Sequence, residues 1–375
     1  MISNRPMMPG PIVLFGSGET SPSGQKVFDA LFRQLPSNPR CALLETAAGF
    51  EPNSYHVIEK VGEFLQRSLQ NYHPQIEIVR ARDRSLFESP DNPAVAASLL
   101  EADLIFLGPG SPTYAIRQLR NSLSWYYLLA RHALGAALVF ASAGVVAASS
   151  YALPVYEIYK AGEDLHWKDG LDLFGIFGLS LVLIPHWNNQ EGGAELDTSR
   201  CFMGQERFKR LAFELPPGQT ILGIDENTAL MLDLQSGTGK VLGGGEAVWV
   251  HVGHRHAGTA NGNFLAASGL DEIIQKRGGH VHRYRTGKTF ELSECCQFRM
   301  PVLGQGVPLE VWEMAVKMVE CKEAGPPQQV MELVEQRQAA RQRQDWAYAD
   351  ALREKIEGLG WRVEDGREGA QIFRR

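Results

Sequence analysis

Short apolar runs alternate with longer amphipathic stretches through the first half of the chain. Pro11-Ile12-Val13-Leu14-Phe15 reads as a buried strand, closed by the polar, glycine-rich Gly16-Ser17-Gly18-Glu19-Thr20 and a helical stretch to about Leu35. Further strands are predicted at Cys41-Ala42-Leu43-Leu44, Ile76-Glu77-Ile78-Val79, Leu104-Ile105-Phe106-Leu107 and Leu138-Val139-Phe140. Between the second and third, Val57, Ile58, Val61, Phe64, Leu65 and Leu69 recur at helical spacing, with Asn53 as a candidate cap. Asn92-Pro93 supplies a cap and a first-turn proline for another helix. Strands without polar alternation, separated by helices, predict an α/β fold with a doubly wound, mostly parallel sheet covered on both faces.

The pattern turns strand-rich after about residue 180. Leu181-Val182-Leu183-Ile184, Thr228 to Leu232 and Ala247 to Val252 read as strands. Gly279 to Tyr284 and Thr289 to Leu292 predict a closing hairpin across Thr286-Gly287. A helix over about Leu309 to Cys321 leads into Gly325-Pro326-Pro327, a linker signal. Beyond it the chain is rich in Gln, Arg and Ala and predicts a helical hairpin. Asp345 caps its second helix, Gly358 and Gly360 end it, and two short strands follow around Asp365-Gly366. The division expected is a domain over residues 1–295, a helical linker over 296–327 and a small module over 328–375.

Composition adds limits. Of 375 residues, 44% are hydrophobic and 21% charged, which is ordinary for a globular chain and excludes a disordered one. A net charge of −6 gives no electrostatic reason for nucleic acid or an anionic membrane as the main partner. The five cysteines are odd in number and hold no C-x-x-C pair, which points to a reducing cytoplasm. No charged leader followed by an apolar run opens the sequence, so no signal peptide is expected. Ala133 to Tyr156 carries no charge, but its Ala, Gly and Ser content and Pro154 fit a buried strand, turn and helix better than a membrane span. His251, His254, His256, His280 and His282, with Cys295 and Cys296, raise the question of zinc. Their spacing matches no metal motif, so they are read as structural, with neither metal nor cofactor expected.

Three segments carry candidate chemistry. Phe140-Ala141-Ser142-Ala143-Gly144 sits between a strand and a helix, where a sharp turn lifts a serine out of a sheet. A packing serine in an Ala-rich helix would read the same way. Pro185-His186-Trp187 ends an apolar strand, the position where α/β sheets place ligand-binding and catalytic residues. Gly223-Ile224-Asp225-Glu226 puts carboxylates in a glycine-led turn before another strand. A serine needs a base to become nucleophilic, and the base needs a third group to orient it. All three kinds of residue occur here, each at a strand end.

Taken in order, these segments resemble the peptidase E and cyanophycinase family of serine peptidases, which has a class I glutamine amidotransferase-like fold. The likeness spans residues 11 to 290. It includes Gly16-Ser17-Gly18-Glu19, Gly108-Pro109-Gly110-Ser111, Ser142-Ala143-Gly144, Pro185-His186-Trp187 and Gly223 to Glu226. Val241-Leu242-Gly243-Gly244 and Val248-Trp249-Val250 complete it. The resemblance implies Ser142 as nucleophile, His186 as general base and then acid, and Glu226 as the group orienting His186. It implies an oxyanion hole from the N–H groups of Gly110 and Ala143. Arg200, fourteen residues after His186, falls where peptidase E meets an acidic substrate side chain, and Ser111 and Asn188 are further substrate-binding candidates. The implied activity is hydrolysis of amide bonds, peptide or isopeptide, in short acidic peptides. Phe140 stands where the family usually keeps glycine, and the cyanophycinase residues flanking the histidine are absent. A catalytically silent binding module is therefore the alternative.

Residues 328–375 resemble the C-terminal extension of cysteinyl-tRNA synthetases. The matching segments are Glu335 to Arg341, Asp345 to Arg353, Gly360 to Asp365 and the ending Phe373-Arg374-Arg375. The helical hairpin alone also resembles the UVR-type interaction motif. The resemblance implies tRNA as partner. Nine Lys or Arg against nine Asp or Glu from Pro326 onward give no basic excess, which favours the alternative of a small packing or protein-interaction module. A small peptide substrate, no membrane, and a homodimer left open complete the expectations.

Overall fold

Five strands pair in parallel: four are aliphatic runs buried along almost their whole length, and the edge strand alternates, turning Gln75 and Glu77 to solvent. They are β1 (Ile12–Phe15), β2 (Arg40–Leu44), β3 (Gln75–Val79), β4 (Leu104–Leu107) and β5 (Ala137–Ala141). Across the sheet their order is β3-β2-β4-β5-β1, every pair parallel. This structure, a computed structural model, describes residues 7–253, 274, 278–301, 305–366 and 369–374. Its contacts divide the chain into two units, Met1–Val316 and Lys317–Arg375.

In the first unit the later strands are β6 (Tyr151–Ala152), β7 (Lys168–Asp169), β8 (Leu181–Ile184), β9 (Thr220–Ile224) and β10 (Thr228–Asp233), then β11 (Thr238–Gly243), β12 (Glu246–His251), β13 (His280–Arg285) and β14 (Thr289–Glu291). Antiparallel β10, β11 and β14 extend the large sheet beyond β1 to eight strands. A second sheet runs β13-β12-β9-β8. The helices are α1 (Pro22–Phe32), α2 (Ser54–Ser68), α3 (Pro93–Ala96), α4 (Pro112–Leu119), α5 (Leu123–Ala133), α6 (Ala143–Ala147), α7 (Val155–Tyr159) and α8 (Gly204–Glu214), and α9 (Leu309–Glu323) runs through the boundary at Val316. One face of the large sheet packs Val13, Phe15, Phe106 and Val139 against Phe28 and Leu31 of α1 and Val61 and Leu65 of α2. This is the α/β, parallel-rich architecture that the periodicity predicts.

Two local expectations need correction. Asn53 precedes α2 but its side chain makes no capping bond; Ser54 instead turns its hydroxyl to the buried Glu45 carboxylate. The closing hairpin is not one either, because β13 pairs with β12 in one sheet and β14 with β11 in the other. The turn between them is held from outside: Thr286 gives its N–H and hydroxyl to the Gly245 carbonyl, at 3.0 and 2.9 Å. Gly245 lies in the bend where β11 passes to β12. Two bends thus stack, and each hands its chain from one sheet to the other.

The uncharged stretch 133–156 spans β5, α6, β6 and the start of α7, and no helix among the described residues is long and apolar enough to cross a membrane. His251, His280 and His282 form a ring ladder with centroids 5.1 and 5.0 Å apart. Among the described residues no cluster of three His, Cys, Asp or Glu side chains is placed to hold a metal; His254 and His256 lie outside those residues.

The second unit holds α10 (Gln328–Gln342), α11 (Trp346–Gly358), β15 (Trp361–Gly366) and β16 (Gly369–Arg374). Asp345 accepts the Tyr348 N–H at 3.2 Å and so caps α11. β15 and β16 pair antiparallel, and Val330, Val334, Ile356 and Val363 form a small core. Beside it, buried Arg337 grips Asp365 through two bonds of 2.8 Å.

Candidate active site

One residue separates β5 from α6, and it must reverse the chain. Ser142 does so at φ 50° and ψ −111°, a sparsely populated conformation for any residue with a side chain. The turn fits because Gly144 lies against β4, where a Cβ would meet the Leu107 carbonyl oxygen at 2.2 Å. Phe140 does not obstruct it. Its ring is buried in the core, on β5 between Leu14 and Leu107 of the neighbouring strands.

His186 lies two residues beyond β8, itself at positive φ, and its N–H donates to Gly16 O at 3.0 Å. The imidazole Nε2 stands 3.0 Å from Ser142 Oγ, and Nδ1 stands 3.0 Å from Glu226 Oε1. An ionised carboxylate only accepts, so Nδ1 carries the proton and Nε2 is left to accept from the serine. The hydrogen bond from His186 holds the Glu226 carboxyl below its ordinary range, against the opposing effect of burial and with help from Asn189.

Glu226 occupies the tight turn between β9 and β10. Asn188 Oδ1 accepts its backbone N–H at 2.8 Å, and Asn189 Nδ2 donates to Oε1 at 2.8 Å. The adjacent Asn227 N–H goes to Ser17 Oγ at 3.0 Å. Gly16 lies so close to this turn that a Cβ would meet the Asp225 carbonyl oxygen at 2.0 Å. The first glycine-rich loop is therefore a bed for the glutamate turn.

A cavity of about 240 Å³ opens over Ser142 and His186, with Gly110, Ala143, Tyr156 and Phe202 among its walls. Ala143 opens α6, so its N–H has no helical acceptor. Gly110 sits at φ 142°, with Ala47 O only 2.1 Å from where a Cβ would stand. The Ser111 N–H ties this loop to Ala47 O at 2.8 Å.

None of the three predicted substrate-binding residues lines the cavity over Ser142. Ser111 caps α4 through the Tyr114 N–H and lines a neighbouring cavity. Asn188 supports Glu226. Arg200 donates to Trp187 O at 2.7 Å, stacks 4.0 Å above the Trp187 ring, and lines a separate polar cavity with Asn188 and Asp197. Sequence reasoning missed Asn189, 2% exposed and bonded to the glutamate, and Phe202, whose ring centroid is 5.9 Å from that of His186. Their only signal was proximity to His186 and Arg200 in the chain.

Residues 324–374 match the family described as the cysteinyl-tRNA ligase anticodon binding domain. Over 46 residues the chain is 48% identical to a cysteine-tRNA ligase of Methanosarcina acetivorans, covering 12% of this chain and 10% of that protein. Over 114 residues it is 37% identical to the Rubrobacter xylanophilus enzyme, covering 30% and 23%. The chain thus spans about a tenth of the length of the first of these curated relatives. A crystal structure of a peptidase from an acI-B1 Actinobacterium superposes with a TM-score of 0.54 at 20% identity, covering 76% of this chain and 98% of that one. At that identity the likeness is one of fold: a mixed α/β, peptidase-like fold carrying a ligase-type C-terminal segment.

Proposed function

We propose that the chain is a serine hydrolase that cleaves amide bonds in short peptides or peptide-like conjugates. The observation that carries this reading is the unbroken relay at the cavity, Ser142 to His186 to Glu226, with 3.0 Å at each step. Ser142 Oγ attacks the amide carbon while its proton passes to His186 Nε2. Glu226, ionised, stabilises the imidazolium that forms. The carbonyl oxygen, now an oxyanion, accepts from the N–H groups of Ala143 and Gly110, a contribution of about a hundredfold or more in rate. The imidazolium then protonates the leaving nitrogen, the C–N bond breaks and an acyl ester remains on Ser142. Water, deprotonated by His186, attacks the ester and restores the hydroxyl. Strain at Ser142 supports this reading over a silent one, since a merely packing serine needs no such conformation. A cytoplasmic setting suits it, because the five cysteines stand as free thiols.

The test is a screen of dipeptides and isoaspartyl peptides with the full chain, Ser142→Ala, His186→Ala and the double variant. Each single change should abolish turnover to a similar extent, with the double no worse, because the pair acts as a unit. A double variant far below either single would break the pairing.

A second reading concerns residues 328–375 and rests on the match to the anticodon binding domain. In it this module binds tRNA, while residues 1–295 carry the chemistry and 296–327 join the two. A mobility shift with tRNA at low and moderate salt should show a complex that truncation after Ala324 removes. No complex even at low salt would leave a protein partner as the module's role.

A further inference from the structure

We infer that Lys160, at the end of α7, reads an anionic group on the substrate, the part that the resemblance gives to Arg200. The inference deepens the hydrolase reading and concerns the same cavity. Among the described residues, Lys160 is the one lysine or arginine lining the space over Ser142 and His186. Arg200 lines a different cavity and spends its guanidinium on the Trp187 carbonyl and ring. Turning it toward Ser142 would forfeit a charge-assisted bond and a stacking contact together.

Lys160 is differently placed. Its ammonium rests 5.1 Å above the exposed Tyr156 ring, and no carboxylate among the described residues lies within ion-pair distance of it. Glu191, exposed on the same cavity wall, is the one carboxylate there. A lysine stem is long and flexible, so the ammonium can swing from the Tyr156 face to a ligand without disturbing the backbone. Tyr156 and Lys160 also line a neighbouring cavity of about 870 Å³, with Glu51, Arg117 and Lys168. The lysine stands at the border between the space beside the nucleophile and room for the rest of a substrate. The chemistry it fits is a carboxylate, from an acidic side chain or from a peptide's free C-terminus.

Binding can be measured apart from turnover. Full-length Ser142→Ala is titrated calorimetrically with Asp-Leu, Asn-Leu and the C-terminal amide of each. Peptides bearing the preferred carboxylate should bind tighter, and Lys160→Met in that background should lower the preference about two- to fivefold, the range of an exposed ion pair. Lys160→Arg should keep most of it and Arg200→Met all of it. Collapse of the Asp:Asn ratio identifies the side chain as the group read, and collapse of the acid:amide ratio identifies the C-terminus. The inference is overturned if Lys160→Met changes neither ratio, if Arg200→Met abolishes the preference instead, or if none of the four peptides binds. Failure of the hydrolase reading would look different: the unmodified protein would bind these peptides and turn none over.

Discussion

Replacing Asn189 by alanine tests whether the glutamate must be held as well as present. Glu226 Oε1 receives two bonds, from His186 Nδ1 at 3.0 Å and from Asn189 Nδ2 at 2.8 Å. A hydrogen bond to a charged group contributes about 1.5–3 kcal/mol. At 1.36 kcal/mol per decade the full loss would be roughly 10–150-fold in rate. Part of it is offset, because an oxygen freed from Asn189 is more basic toward the imidazolium. Asn188 also still holds the Glu226 N–H at 2.8 Å, so the turn itself stays put. The expected net effect is a fall of about tenfold in kcat. KM should stay unchanged, since Asn189 is absent from the lining of the cavity over Ser142. Asn189→Asp should be worse, because two carboxylates at that spacing cannot both ionise and one proton must be shared. Steady-state kinetics on the best dipeptide from the screen, with thermal melts as a fold control, give the answer. A kcat within twofold of the parent, or a rise in KM alone, would refute the holding role.

Acid should destabilise the first unit through His132, whose fully buried ring is held down to about 4 by burial. The unfolded chain titrates near 6.5, so it binds the extra proton first. Stability therefore falls as pH drops from about 6.5 to about 4, by roughly 3 kcal/mol in all. His132→Leu should remove that component from urea unfolding at pH 7 and 4.5; parallel losses in both proteins would refute it. Gly110→Ala, with a Cβ 2.1 Å from Ala47 O, should displace the loop and cut kcat/KM by about a hundredfold or more, whereas an unchanged value would remove Gly110 from the oxyanion hole. Truncation after Ala324 should leave peptide turnover unchanged, and its loss from a folded protein would place part of the site in the tail. Asp365→Ala should weaken the tail at the low end of the ~3–5 kcal/mol that a broken buried pair costs, because Asp365 is 40% exposed while Arg337 is buried. Guanidinium unfolding of the tail's signal measures it.

The sequence was most legible where local chemistry decides the outcome. Apolar runs located the parallel strands, β3 included although its Gln75 and Glu77 alternate outward, and the Ser142, His186 and Glu226 positions were visible because each follows or precedes such a run. A strand pattern with a turn signal names a strand but not its partner, which is why β13 and β14 read as a hairpin. Their destinations depend on Thr286 reaching Gly245, a contact that no local pattern encodes. Arg200 lines a different cavity for a conformational reason. Arg200, Cys201 and Phe202 all sit at positive φ without a glycine among them, turning the arginine onto Trp187. Asn189 escaped notice because its partner lies across the fold, beyond any spacing rule.

The position of β1 between β5 and β10 also sets an order of events during synthesis. Ile12 pairs with Leu138 on one side and with Leu232 on the other. The parallel half of the sheet, Ser142 included, is complete in the chain long before that second partner leaves the ribosome. Pairings of such long range are slow to form. Until the β9–β10 turn docks, a nascent chain carries the serine without the glutamate that orients its base. On the hydrolase reading, the enzyme is inert through most of its own translation, and its nucleophile is armed only when the sheet closes over its first strand.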